Sequence, residues 1–390
     1  MGKSVWLAGF LCSMMFCVSF AEESVSKNEI GALTVSATAN YGTWSSIAGD
    51  NKGSQGLAYF QAAYDGDGWG LAATGKGANT SYKTVLSEER LEFTTLTDTS
   101  VSSYYSHKIG DLLLRGGVDL SLPTGKHAYS SSELGRIVTD PLSQDLMMLN
   151  TYGAGTNVIP HFMAVQRFSD ELTLGGGLRY EFTGSYDPTT DVSNDMLDPG
   201  ERLMLMLNGA WIATDNDYFL LSLIYNYSSV DKQEGTEIFR TGDMYSLEVR
   251  YIRKWEEDFN SIFSLSYRQQ EKNKMLSEGN VLNSELSNSN NNSWEAYVNN
   301  IYRYSDDFSF TGMAGYKQVF PNGLNEDEAL FDGGRWKAYV EPGAMWFLSP
   351  VNYLSGKVRY SYILDKKDAF ASDDSGYNVF NVDIGYTYSF

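Results

Sequence analysis

The chain has 390 residues, 14% of them aromatic, with 27 tyrosines and a formal charge of −20. So large an acidic excess excludes nucleic acid as a partner. The only cysteines, Cys12 and Cys17, sit in an N-terminal apolar segment, so a disulfide or thiolate metal site is not expected in the mature protein. Mean hydropathy is −0.31, and no later run approaches the ~18 apolar residues of a spanning helix.

Residues Met1 to Ser24 open with one positive charge at Lys3, an apolar run from Val5 to Phe20, and small residues at Ser19 and Ala21. This predicts a signal peptide over 1–21, cut after Ala21, leaving 22–390 as a single domain. The run is too short for an anchor of roughly 20 residues, and Phe16 is too large to precede a lipidated cysteine. Loss of Lys3 leaves 28 basic against 49 acidic residues, a charge of −21.

Beyond the leader the chain alternates with a period of two between turn residues. Strands are expected at approximately 32–44, 55–64, 69–76, 91–106, 111–122, 157–168, 172–186, 201–214, 218–229, 243–255, 259–271, 294–304, 308–320, 335–348, 352–364 and 376–390. Tight turns fall at 65–68, 107–110, 169–171, 215–217, 256–258, 305–307 and 349–352; longer polar connections lie between the hairpins. Strand 157–168 places either Gln166 or the pair His161 and Arg167 on its apolar face. Strand 201–214 is apolar on both faces, and 91–106 reads either as one strand or as two with a break near Asp98. The Asn/Ser-rich tract from Asn283 to Ser293 reads as a mobile loop tip.

The last strand, Gly376 to Phe390, has the clearest two faces. Phe380, Val382, Ile384, Tyr386, Tyr388 and Phe390 share one; Asn381, Asp383, Gly385, Thr387 and Ser389 share the other. Left at a sheet edge, such a strand invites aggregation; pairing it with the first strand removes the edge. An aromatic last residue after alternating apolar positions resembles the closing strand of bacterial outer-membrane β-barrels. The resemblance implies that Phe390, Tyr388 and Tyr386 form the signal that the assembly machinery reads. The expected fold is all-β: one transmembrane antiparallel up-and-down β-barrel of about sixteen strands, within a range of 14 to 18, with short periplasmic turns and long extracellular loops.

Charged residues on such strands must face the lumen, because Arg or Lys towards lipid costs about 2–4 kcal/mol at the midplane. This assigns Arg115, Asp119, Arg179, Glu181, Glu248, Arg250, Arg268, Arg303, Lys317, Lys337, Glu341, Lys357 and Arg359 to the pore lining, with Glu295 and Asp383. Basic residues on successive strands from 243 to 364 predict a cationic wall. The loops are acidic, as in Asp187 to Glu201, Glu326 to Asp332 and Asp365 to Asp374, and form a vestibule that concentrates cations. No run among them has calcium-loop spacing.

The longest connection, Pro123 to Thr156, resembles in position and length the third external loop of sixteen-stranded porins, which folds into the lumen. That resemblance implies a constriction lined by Glu133, Arg136, Asp140 and Asp145, although the Pro-Glu-Phe-Gly-Gly signature of general porins is absent. Just before it, Gly110-Asp111-Leu112 and Leu122-Pro123-Thr124-Gly125 resemble a segment of the outer-membrane family associated with meta-cleavage phenol degradation, which implies aromatic or apolar solutes. Leu-Pro-Thr-Gly is also an ordinary way to end a strand.

No enzyme is expected. The histidines are His107, His127 and His161, none with a nucleophile motif beside it, and no phosphate, zinc or haem motif calls for a cofactor. The expected function is that of an outer-membrane porin in a Gram-negative envelope, a passive diffusion channel for small hydrophilic solutes and ions with a weak cation preference. The alternatives are a substrate-specific transporter for aromatic or apolar compounds, or a barrel sheath around an electron-transfer partner. Expected companions are outer-membrane lipid, lipopolysaccharide and small-molecule solutes; resemblance to sixteen-stranded porins implies a homotrimer.

Overall fold

The computed structural model describes residues 31–48, 51–83, 91–126, 128, 155–190, 196–277, 281–369 and 373–390. Sixteen antiparallel staves close one barrel: β1 (Ala32–Ser46), β2 (Lys52–Asp65), β3 (Trp69–Lys83), a two-part β4 (Leu91–Leu96 and Thr99–Ile109), β5 (Leu112–Leu122), β6 (Asn157–Arg167), β7 (Leu172–Glu181), β8 (Arg202–Thr214), β9 (Asp217–Ser228), β10 (Met244–Glu256), β11 (Phe259–Gln270), β12 (Ser293–Ser305), β13 (Phe308–Val319), β14 (Arg335–Ser349), β15 (Asn352–Asp365) and β16 (Ser375–Ser389). Both parts of β4 pair with β3, so they make a single stave. The ring closes where β1 meets β16, from Thr34 opposite Ser389 to Ser46 opposite Tyr377. The backbone N–H of Phe390 donates to Leu33 at 2.8 Å, so the two-faced final strand seals the seam.

All seven expected tight turns lie at one end of the barrel. Gly68 and Gly110 take positive φ there, 77° and 60°, a conformation that suits a residue without Cβ. Four turns, after β8, β10, β12 and β14, follow a one-residue register shift. Three boundaries are corrected: β3 runs on to Lys83, past the expected end at 76, β7 stops at Glu181, short of 186, and β4 runs on to Ile109, so His107 belongs to a strand and the turn is Gly110-Asp111. The break near Asp98 is real, and the Leu-Pro-Thr-Gly segment seals it. Gly125 donates to Asp98 Oδ1 at 3.0 Å and the Thr99 N–H to Thr124 Oγ1 at 2.8 Å.

Alternation sorts the residues into an apolar outer face and a polar inner one. On β11, Phe263, Leu265 and Tyr267 are exposed on the outside, with Ser264, Ser266 and Arg268 opposite. The two ambiguous strands resolve the same way. Val158 and Phe162 are exposed on the outer face of β6, so Gln166 shares that face near the tight-turn end and His161 and Arg167 turn inward. On β8 the outer residues are Leu205, Leu207 and Trp211, which sends Met204 and Met206 inside. Aromatic rings mark both rims. Trp211, Phe219, Tyr251 and Phe263 form a row across β8–β11 towards the tight turns, with centroids 5.4, 4.9 and 5.8 Å apart. Trp294, Tyr316, Trp336 and Tyr362 form another towards the loops of β12–β15, at 5.3, 6.0 and 5.2 Å. A closed ring with an apolar belt between aromatic girdles is the build of a barrel of the bacterial outer membrane.

The loop end carries a feature that strand alternation did not anticipate. Leu197–Asp198, Asp231–Gln233, Thr236–Arg240, Lys274–Ser277 and Val281–Ser284 form a separate five-stranded sheet. Its 231–240 hairpin turns at Glu234-Gly235, both with positive φ, 49° and 78°, as a two-residue hairpin turn requires. The Asn/Ser tract expected to be a mobile tip is instead tied down. Val281–Ser284 pairs with Lys274–Ser277, and the Asn288 and Asn290 side chains donate to the carbonyls of Gln270 and Glu271. Glu285 accepts from Ser289 Oγ at 2.6 Å and from Asn273 Nδ2 at 3.2 Å.

Two measurements test this account. Leu265→Arg, on the hydrocarbon side, should destabilise the barrel by about 2–4 kcal/mol in vesicle unfolding. Ser266→Arg, one residue on and opposite Glu248 and Glu295, should change stability far less. Partial burial pushes the Glu285 carboxyl up, but hydrogen bonds from Ser289 and Asn273 outweigh that and lower its pKa below the ordinary 4.5. A depressed carboxylate contributes stability above its ordinary pKa and loses it as pH falls through the lowered one. Protection of the Ser289 amide against hydrogen exchange, taken relative to its intrinsic rate at each pH, should therefore persist at pH 5 and be lost only in more acid solution.

Candidate functional site

The inner wall of β12–β16 is a continuous polar chain. Lys317 on β13 stands between Glu295 on β12 and Lys337 on β14. Tyr339, next along the inner face of β14, is buried, and its Oη donates to Glu295 Oε1 at 2.8 Å. Its ring crosses β13 because the intervening inner residue is Gly315, where a methyl group would overlap Tyr339 Oη and Cζ. The ring faces two cations, Arg359 Cζ at 4.9 Å and Lys337 Nζ at 5.1 Å from its centroid. Arg359 Nε donates to Glu341 Oε2 at 2.6 Å, and Lys357 Nζ lies 3.6 Å from Glu341 Oε1 and 4.0 Å from Asp383 Oδ2. Asn40 Nδ2 then donates to Asp383 Oδ1 at 2.6 Å, carrying the chain over the seam to β1.

Further polar groupings sit on other staves. Asp119 on β5 faces His161 Nδ1 on β6 at 3.6 Å and Arg179 Nε on β7 at 4.0 Å. On β10, Arg250 donates to Glu248 through Nε at 2.6 Å and Nη2 at 2.9 Å, and Ser264 Oγ donates to the same carboxylate at 3.0 Å. Glu181 accepts from Asn157 Nδ2 at 3.2 Å. Arg115 donates to Ser106 Oγ at 2.8 Å and stacks over Tyr104 with Cζ 4.1 Å from the ring centroid.

Many of the cations assigned to this wall are paired. Arg179, Arg250, Lys357 and Arg359 each stand beside a carboxylate, since a cation against a low-dielectric wall is tolerated when paired. Arg303 pairs with Asp258 at 2.8 Å beside a tight turn, so it belongs to the rim and not to the middle of the wall. Arg268 differs from these. It is exposed on the inner face, its side chain bonds Gln270 Oε1 at 3.4 Å, and it makes no ion pair among the described residues. Tyr339, Gly315 and Asn40 were not singled out from sequence, and the inward turn of His161 was one of two readings left open. The position of Tyr339 between Lys337 and Glu341 in the two-residue period was the available signal. Glu133, Arg136, Asp140 and Asp145 lie outside the described residues, as does His127.

The acidic loops are partly neutralised. Lys367 Nζ reaches Glu326 Oε2 at 2.6 Å and Lys366 Nζ reaches Asp374 Oδ2 at 2.7 Å. The Lys366 bond, with the Lys367 backbone, holds Asp374 below the usual aspartate pKa. Among the described residues no group of three His, Cys, Asp or Glu side chains is placed to hold a metal ion.

No family model matches the chain, and no curated protein does. Solved structures do resemble it. An outer membrane channel from Pseudomonas putida F1 is 9% identical with a TM-score of 0.40, over 94% of this chain and 100% of that one. OpdQ of Pseudomonas aeruginosa is 12% identical with a TM-score of 0.44, over 93% and 99%. The P. putida toluene transporter TodX is 9% identical with a TM-score of 0.44, over 93% and 90%. At such identities and scores the likeness assigns no solute.

The inner network makes one quantitative demand. Glu341→Gln would leave Arg359 and Lys357 without the buried carboxylate they share, and should lower unfolding stability in lipid vesicles by about 1–3 kcal/mol. Glu326→Gln, whose pair with Lys367 is solvent-exposed, should cost under about 1 kcal/mol in the same measurement.

Proposed function

We propose that the protein is a passive channel through the outer membrane for small hydrophilic solutes and ions, selecting by the charges on its inner wall. The observation that carries this reading is the continuous polar chain from Glu295 to Asn40 along the inner face of a sixteen-stave ring. A ring of this strand number is too wide for side chains to fill and encloses water. The wall does its work without bond making: fixed dipoles and paired charges replace part of a solute's hydration as it passes. Acidic loops and a wall richer in cations act in series. The first raises cation concentration at the mouth within a Debye length of about 8 Å, and the second opposes it, so discrimination between small ions is weak.

A narrower reading has one observation in its favour. Part of the inner face of β6–β9 is apolar where a water-filled lumen calls for polar residues, with Met163, Met204, Met206, Leu220 and Ile224 inward beside the polar pair His161 and Arg179. Such a strip favours a channel that prefers solutes with an apolar part.

Reconstitution of the full-length protein into a planar bilayer tests the main reading. Stepwise ohmic conductance is expected, with a reversal potential close to zero in a potassium chloride gradient. A barrel that inserts but passes no current would refute it.

A further inference from the structure

We propose that the inner wall carries a subsite for amphipathic organic anions, in which an apolar body lies along β6–β9 and a carboxylate meets Arg268; this rests on the channel reading and narrows its solute class. The juxtaposition is set by register. Met163 on β6 stands opposite Gly177 on β7, Gly177 opposite Met206 on β8, Met206 opposite Ile224 on β9, Ile224 opposite Ser246 on β10, and Ser246 opposite Arg268 on β11. These six residues form one row across the inner face. At about 4.8 Å per strand, the backbone of Ile224 is roughly 10 Å from that of Arg268, and Met206 roughly 14 Å. A single-ring or short-chain carboxylic acid held by the long Arg268 side chain reaches the Ile224 and Met206 part of this row.

Each end of the row has a chemical reason to hold its half of the ligand. Gly177 contributes no side chain, and the methionines close over it: a Cβ placed there would be 3.4 Å from Met206 Cε and 3.7 Å from Met163 Cβ. Thioethers are polarisable, adapt their shape and make favourable contacts with aromatic edges. The strip is only half-buried at Met163, Met206 and Ile224, so it remains accessible. At the other end Arg268 is exposed and makes no ion pair among the described residues, whereas the nearby Arg250 already holds Glu248 through two nitrogens. A guanidinium fork matches a carboxylate in two parallel hydrogen bonds. Ser246 between the two ends is small and polar and leaves the path clear.

The experiment is equilibrium dialysis of radiolabelled benzoate against the full-length protein folded in detergent, alongside bilayer recordings of the same preparation. Benzoate should bind saturably; acetate, which lacks the apolar body, and benzyl alcohol, which lacks the charge, should each compete at least about tenfold less well. Arg268→Gln should weaken benzoate about tenfold, and Met206→Ser should weaken benzoate while leaving acetate unchanged. Equal competition by acetate and benzoate overturns the proposal on the unaltered protein alone, as does undiminished benzoate binding by a folded Arg268→Gln. A protein that conducts but does not bind benzoate loses the subsite and keeps the channel reading. One that binds benzoate and passes no current does the reverse.

Discussion

Hydrocarbon offers no partner for a backbone N–H or C=O, and this constraint organises the molecule. A sheet that crosses a bilayer has to satisfy every such group from its own strands, and only a closed ring does so without an edge. The pairing of β1 with β16 follows from it, as does the apolar face that ends at Phe390. Once the ring is closed, alternation leaves one choice at each position. Most aliphatic and aromatic side chains take the outside, and the charges of the described staves are driven to the inside or to a rim. The position of Arg303 at a tight turn beside Asp258 shows the second outcome.

Driving charges inward creates a second problem, which the inner wall solves by local compensation. Cations and carboxylates are interleaved on neighbouring staves, so that Glu341 serves both Lys357 and Arg359, and Asp383 is shared between Lys357 and Asn40. Tyr339 extends the network sideways over Gly315 and reaches two staves from its own. The wall that results is polar, richer in cations than in carboxylates, with most of those cations paired. A net charge of −20 says little about such a wall, because the acidic excess sits in loops.

Much of this was legible in the sequence because a barrel obeys a short-range rule. The two-residue period fixed which face each charge occupies, and turn residues such as Asp215-Asn216-Asp217 placed the hairpins. What escaped was non-local. The partner of Arg250 lies two residues along its own strand and could be inferred; the approach of Tyr339 to Glu295 depends on the register between three strands and on a glycine that only matters once they are aligned. Where both faces of a strand were apolar, as on β8, periodicity had no contrast to read, and the inward methionines emerged from exposure. The Asn/Ser tract misled for a related reason. Its composition lacks core-forming residues, yet amide side chains can bind passing carbonyls, and Asn288 and Asn290 do.

The sheet standing on the loop end draws its strands from three separate connections, between β7 and β8, β9 and β10, and β10's neighbour β11 and β12. Surface loops ordinarily drift in length independently of one another. Here the Lys274–Ser277 segment is paired with Thr236–Arg240, and Asp231–Gln233 with Leu197–Asp198, so a residue inserted into one connection shifts the register of the next. A change of length in any one of these three connections has therefore to be absorbed by the other two, and the rim they build presents its side chains as one composite surface held in fixed proportions.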